Sequence, residues 1–319
     1  MDNYGFYTGK SFDAYEFFGC HTDENGAVFR VFAPAAVRIS VIGEFNGWQD
    51  TPMNKIGDGN FWAVYIEGVK PGQMYKYKIY KPDGSCMDHC DPYGYGMELR
   101  PASASIVRNL YGYEFQDDAW MKRRSNGVAS ALNIYEIHAG SWKKPQNGWY
   151  RYDELATQLV PYLKEYGYNY IELLPIGEHP CDESWGYQCS GFYSPTSRYG
   201  TLDDYKKMID ILHHNDIGVI MDFVPVHFAL DAYALAKFDG TALYEYPHKD
   251  VGNSEWGSCN FMHSRGEVRS FLQSCANYWL KEYHVDGLRM DAISNMIYWQ
   301  GNPARGVNKD AVVFLQNMN

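Results

Sequence analysis

From Leu132 onward, short apolar runs alternate with stretches of helical period, and this order constrains the fold more than any other feature of the chain. Residues 132–137, 170–174, 217–224 and 283–292 read as strands. Residues 153–166, 203–215 and 267–283 read as helices, the first expected to kink at Pro161, and a fourth helix begins near the C-terminus. Near-continuous apolar strands separated by helices call for a parallel sheet. The connections are lopsided: helix-to-strand links take a few residues, whereas strand-to-helix links grow to residues 175–202 and 225–266. A (β/α)8 barrel builds its active site from such loops, at the C-terminal ends of its strands. A doubly wound nucleotide-binding fold would show a G-x-G-x-x-G turn after the first strand, and His138-Ala139-Gly140-Ser141-Trp142 stands there instead. The expected fold is therefore the first half of a (β/α)8 TIM barrel, with four of its eight βα units.

The residues before this region follow a different period. Residues 28–32, 38–42, 61–66 and 74–80 are short β-like runs, parted by Asn46-Gly47, Asp58-Gly59, Pro71-Gly72 and Pro82-Asp83-Gly84. They predict an N-terminal all-β, immunoglobulin-like sandwich over residues 1–115, a polar linker over 116–131 and the half-barrel over 132–319. In residues 43–48, Trp48 sits beside a tight turn, either as a stacking platform for a sugar or as a core residue.

The net charge of -11, with no Lys/Arg run, argues against nucleic acid or an anionic membrane as the main partner. No apolar window reaches membrane-spanning length and the N-terminus lacks a basic-then-apolar pattern, so the expected location is cytoplasmic. The surplus lies in 28 Tyr and 9 Trp, rings that stack on sugar faces or fill a core. Seven Cys scattered along a long chain suit reduced thiols. Cys86 and Cys90, with His89 between them, have no answering pair, so no metal is expected.

Candidate chemistry centres on Arg289 and Asp291. Two apart on a strand, they share a face, and a guanidinium beside a carboxylate lowers its pKa and holds it ionised. A covalent nucleophile requires such an Asp; a structural ion pair requires no more than the same geometry. Residues 222–227, Asp222 to His227, end the preceding strand. In this order, the two stretches resemble the first two motif regions of the α-amylase superfamily of retaining α-glucan hydrolases and transglycosylases. Residues 134–138, 172–180, 184–188 and 238–244 are similar to its 1,4-α-glucan (glycogen) branching-enzyme family, and residues 43–48 to the glucan-binding, CBM48-like sandwich of that family.

The resemblance implies roles residue by residue. Asp291 matches the nucleophile and Arg289 the Arg that keeps it ionised. His227 matches the His contacting the first-subsite sugar, Tyr187 the ring stacking beneath it, and Trp48 belongs to the glucan-binding sandwich. Asp222 matches a structural or substrate-orienting acid, with capping of its loop as the plain alternative. The implied reaction cuts an α-1,4-glucan of the glycogen or amylose type and rejoins it through a 6-hydroxyl, without cofactor. The implied departure is as definite. A retaining glycosidase needs a second carboxyl as general acid, the family draws it from later strands, and no Glu here takes a matching position, so the general acid is expected to be absent from this chain. The chain alone is then expected to be inactive, with a complementing C-terminal half as a further candidate partner. A debranching or maltooligosyl-trehalose hydrolase, or a non-catalytic glucan-binding remnant, remains the alternative.

Overall fold

In the computed structural model, which describes residues 1–124 and 131–319, the front of the chain runs α1 (Asn3–Thr8), β1 (Gly19–Thr22), β2 (Gly26–Phe32), β3 (Arg38–Gly43), β4 (Thr51–Pro52), β5 (Asn54–Ile56), β6 (Phe61–Glu67), β7 (Met74–Tyr80), β8 (Cys86–His89) and β9 (Ser105–Ile106). Alternation decides which faces meet. On β7, Tyr75, Tyr77 and Ile79 are buried while Lys76 and Lys78 are not, so one face is apolar. That face meets the buried side of β2, where the rings of Phe29 and Tyr75 lie 5.0 Å apart edge to face. The result is two antiparallel sheets, ordered β1-β2-β6-β5 and β4-β3-β7-β8, with β9 also paired to β7. Strands β1 and β8 escape the sequence pattern because neither alternates. They are edge strands recruited by backbone pairing to β2 and β7.

After α2 (Asp118–Arg124) the order is β10 (Ile134–Ile137), α3 (Tyr152–Tyr166), β11 (Tyr170–Leu173), β12 (Gly177–Glu178), β13 (Gly191–Pro195), α4 (Leu202–His214), β14 (Gly218–Phe223), β15 (His227–Phe228), α5 (Lys249–Gly252), β16 (Cys259–Asn260), α6 (Gly266–Glu282), β17 (Gly287–Met290), α7 (Ile293–Ile297) and α8 (Lys309–Met318). Strands β10, β11, β14 and β17 pair in parallel and in chain order, as a barrel is built. Met221 of β14 registers with Leu173 and Leu288, and Asp222 with Arg289. The central β14 is almost wholly buried, whereas β10 and β17, the edges of this sheet among the described residues, keep Ile134 exposed and Leu288 and Met290 half-buried. No helix among the described residues is long and apolar enough to cross a membrane.

The two halves share one apolar core. Helix α1 lies on α6, where the Ser270 hydroxyl donates to Phe6 O at 2.8 Å and Ser274 Oγ accepts from Tyr15 N at 2.9 Å. The contact is close enough that a Cβ on Gly266 would stand 1.9 Å from Tyr7 O. Tyr93 and Tyr193 continue the seam with ring centres 4.9 Å apart. The residues before β1 thus pack on an α6 helix far along the chain, a contact that local pattern does not encode.

The stretch read as a linker over 116–131 contains a short helix. Residues 118–124 form α2, which folds onto the N-terminal end of the sheet, while 125–130 lie outside the described residues. The physical reason is charge pairing. Trp120 Nε1 donates to Asp286 at 2.8 Å, Arg124 donates to Val285 O at 2.9 Å, and the buried His213 imidazole bridges Asp117 at 2.7 Å and Asp286 at 3.0 Å. Asp117 and Arg124 of this stretch thus reach the buried His213 and the Asp286 side chain.

Burial alone would lower the pKa of His213, yet hydrogen bonds and charge from Asp117 and Asp286 outweigh it and raise the pKa. A raised folded-state value contributes stability that is complete below the ordinary histidine pKa and is lost as pH climbs through the folded value. His213→Gln is therefore expected to destabilise the chain by about 3 kcal/mol at pH 6, as breaking a buried pair does, and by clearly less at pH 9. Urea midpoints of both proteins at the two pH values check this, and an equal loss at both would mean that the imidazole is not charged.

Candidate active site

Two strand ends build the site. Asp222 lies within β14 and is only 2% exposed, while β17 stops at Met290 and hands on to Asp291, whose backbone N–H donates to Phe223 O at 3.0 Å. This bond ties the turn after β17 to the strand beside it. Arg289, in register with Asp222, sends one nitrogen to both carboxylates: Nη1 donates to Asp291 Oδ1 at 2.8 Å and to Asp222 Oδ2 at 3.0 Å. The Tyr187 hydroxyl donates to the same Asp222 oxygen at 2.5 Å. Arg289, Asp222, Asp291 and Tyr187 therefore form one connected group.

Burial sets the electrostatics. It pushes the Asp222 carboxyl up to about 6, against the opposing pull of Tyr187 and Arg289, and Asp222 Oδ1 is buried with no hydrogen-bond partner. Burial, together with the bond to Asp222, also raises the pKa of the Tyr187 phenol, which keeps it a donor. His227, at the start of β15, is buried, and desolvation takes its imidazole down to about 4, so the ring is neutral at ordinary pH.

These groups open onto a cleft of about 630 Å³, lined by Tyr187, His227, Trp256, Arg289, Asp291 and Asn295 among others. Asp291 is the sole carboxylate among the described residues of that lining. Of the residues singled out from sequence, Tyr187, His227, Arg289 and Asp291 meet in the cleft and Asp222 braces it from beneath. Trp48 does not join them. It lies in the loop between β3 and β4, 41% exposed and at a φ of 61°, held by a bond from its N–H to Gly43 O at 2.8 Å.

The sequence reading missed Trp256 and its loop. Trp256 is 44% exposed and stands over His227 with ring centres 5.2 Å apart. Gln188 Nε2 donates to Trp256 O at 2.9 Å, and Asn295 Nδ2 donates to Glu255 at 3.2 Å, so the loop is tied to both rims of the cleft. A signal was present: a lone Trp among Ser, Glu and Gly residues, inside a long connection at a strand's C-terminal end. The cysteines with His89 between them make no metal cluster, since His89 Nδ1 bonds Ala234 O at 2.9 Å and Cys86 is exposed; no group of His, Cys, Asp and Glu suited to a metal occurs among the described residues.

Comparison with known proteins adds what geometry alone does not. Residues 17–94 match the carbohydrate-binding module 48 (isoamylase N-terminal domain) family and residues 155–250 the alpha amylase catalytic domain family. The chain is 45% identical to the 1,4-alpha-glucan branching enzyme GlgB of Fusobacterium nucleatum, over all of this chain and 52% of that protein. It is 43% identical to the enzyme of the same name from Bacillus subtilis, again over all of this chain and 52% of that protein. The chain thus spans about half the length of the curated relatives it matches. Among solved structures, a putative alpha amylase from Salmonella typhimurium superposes with a TM-score of 0.73 at 26% identity, covering 93% of this chain and 46% of that one. A pullulanase from Bacillus acidopullulyticus, at 23% identity and a TM-score of 0.69 over 87% of this chain and 38% of its own, shares the fold.

Proposed function

We propose that the chain, which matches the carbohydrate-binding module 48 and alpha amylase catalytic domain families and is 45% identical to a 1,4-alpha-glucan branching enzyme, supplies the nucleophile half of such an enzyme. The observation that carries this reading is the Asp291 carboxylate, held by Arg289 at the mouth of a cleft where parallel strands end. In the first step an Asp291 oxygen attacks C1 of an α-1,4-linked glucose, the C1–O4 bond breaks, and O4 takes a proton from a general acid. In the second, the 6-hydroxyl of an acceptor chain attacks C1, gives its proton to the same group, and frees the carboxylate. Tyr187 forms a wall of the sugar site, and Arg289 and Asp222 hold the nucleophile's orientation. The general acid comes from outside the residues that line the described cleft. That same lack favours the second reading, a glucan-binding chain without turnover.

The test is complementation. The 319-residue chain is mixed with the separately expressed C-terminal half of the Fusobacterium nucleatum relative, amylose is added, and α-1,6 linkages are counted by proton NMR. New branches support the proposal. Loss of branches from glycogen would make the protein a debranching enzyme or a related hydrolase, and no change in either substrate would leave glucan binding alone.

The exposed indole of Trp48 is proposed to stack on α-glucan, apart from the cleft. Trp48→Ala is expected to weaken retardation of the chain in glycogen-containing native gels by about threefold to tenfold, the scale of one lost aromatic contact. Identical mobility with and without the substitution would make the sandwich a scaffold.

A further inference from the structure

The loop that carries Trp256 contains two hydroxyls whose hydrogen-bond count is closed. A serine hydroxyl has one hydrogen to give and two lone pairs to receive. Ser254 Oγ receives the backbone N–H of Trp256 at 3.2 Å and of Ser258 at 3.1 Å. Both lone pairs are taken, so its own hydrogen goes to Ser258 Oγ, 2.5 Å away. Ser258 is 1% exposed, and its remaining neighbour is His227 Nδ1 at 2.6 Å. Were Nδ1 the protonated nitrogen, Ser258 would receive two hydrogens and its own would be buried without an acceptor, which folded proteins avoid. The chain of donors therefore runs from backbone to Ser254, to Ser258, to His227 Nδ1. The imidazole is neutral, so its one proton sits on Nε2, for which the described residues offer no hydrogen-bond partner.

We propose that Ser254 and Ser258 are positioning residues that lock His227 as the Nε2–H tautomer, so that it meets a glucan in the cleft as a donor to a sugar oxygen and not as an acceptor. The lock is a property of this loop alone; the donor role rests on the glucan reading of the cleft given above. Geometry also gives the loop a reason to hold one shape, since the backbone N–H groups that fill Ser254 are those that set Trp256 against His227.

The test reads the tautomer directly. Long-range proton–nitrogen NMR of the 319-residue chain, labelled on histidine nitrogen and assigned with His227→Gln, is expected at pH 7.5 to show a protonated Nε2 and a bare Nδ1 at His227. Ser258→Ala should release the lock and give a mixed or Nδ1-protonated ring, and Ser258→Thr, which keeps the hydroxyl, should restore the Nε2–H form. Ser254→Ala serves where Ser258→Ala does not fold, with the same expected release. A wild-type ring protonated on Nδ1, or a ring unchanged by loss of either hydroxyl, overturns the proposal. Adding maltoheptaose should then shift the Nε2 signal. With the tautomer in place but no shift, the donor role and the glucan reading of the cleft fall together, whereas a shift without the tautomer overturns the lock and spares that reading.

Discussion

Asp291→Asn, in the chain complemented by a C-terminal half, is expected to abolish glucan transfer, with a loss on the order of 10⁶-fold, the scale seen when a covalent nucleophile is removed from a hydrolase. The reason is that an amide oxygen cannot form and release the glycosyl ester that splits the reaction into two steps. The fold should survive. Arg289 keeps its bond to Asp222, an Asn side-chain oxygen still accepts from Nη1, and the backbone N–H of residue 291 keeps its bond to Phe223 O. Retardation by glycogen in native gels should therefore match the unsubstituted chain, which separates loss of chemistry from loss of structure. Branching at a near-normal rate by this variant would move the nucleophile elsewhere and remove the centre of the proposed mechanism.

Residues 1–319 assayed alone are expected to turn over no glucan at a useful rate. Asp291 is the sole carboxylate in the described lining of the cleft, and a retaining mechanism needs a second one about 5 to 5.5 Å away. Absence of general acid catalysis by itself lowers a rate by roughly 10²- to 10⁴-fold. The sheet compounds the deficit. Strand β17, which delivers Asp291, is an edge of the described sheet, with Leu288 and Met290 half-buried and a side of its backbone not paired to another strand. A nucleophile on an edge strand is held on one flank where a closed barrel would hold it on two. Iodine-stained amylose, assayed with the chain alone and then with the C-terminal half of the Fusobacterium nucleatum relative, checks this. Clear turnover by the chain alone would show that the acid is already present in these residues.

The local pattern of the chain carried more of this than its length suggests. Period 2 in residues 74–80 and the strand–helix alternation after Leu132 determined a sandwich and a parallel sheet, because side-chain direction in a strand or helix depends on near neighbours alone. The pairing of Arg289 with Asp291 was legible from their separation of two residues, although the strand read over 283–292 is β17 only over Gly287–Met290 and Asp291 falls in the turn after it. Motif resemblance then named Tyr187, Asp222 and His227, and the fold brought them to one place.

Tertiary structure alone decided the rest. That Asp222 and Arg289 share a hydrogen bond follows from the register of β14 on β17, which backbone pairing sets across 67 residues of sequence. Asp117, just before α2, is buried because His213 and His284 converge on it from other elements, although α2 itself buries none of its residues. Trp48 is not among the residues lining the cleft and Trp256 is, although both are half-exposed indoles in polar loops, because the loop before β16 is tied to Gln188 and Asn295 at the rims whereas Trp48 lies in a loop of the sandwich. Hydrophobic period is a local quantity, whereas which loop meets which strand end is fixed by how the whole core closes, and a site made of loops inherits that non-local decision.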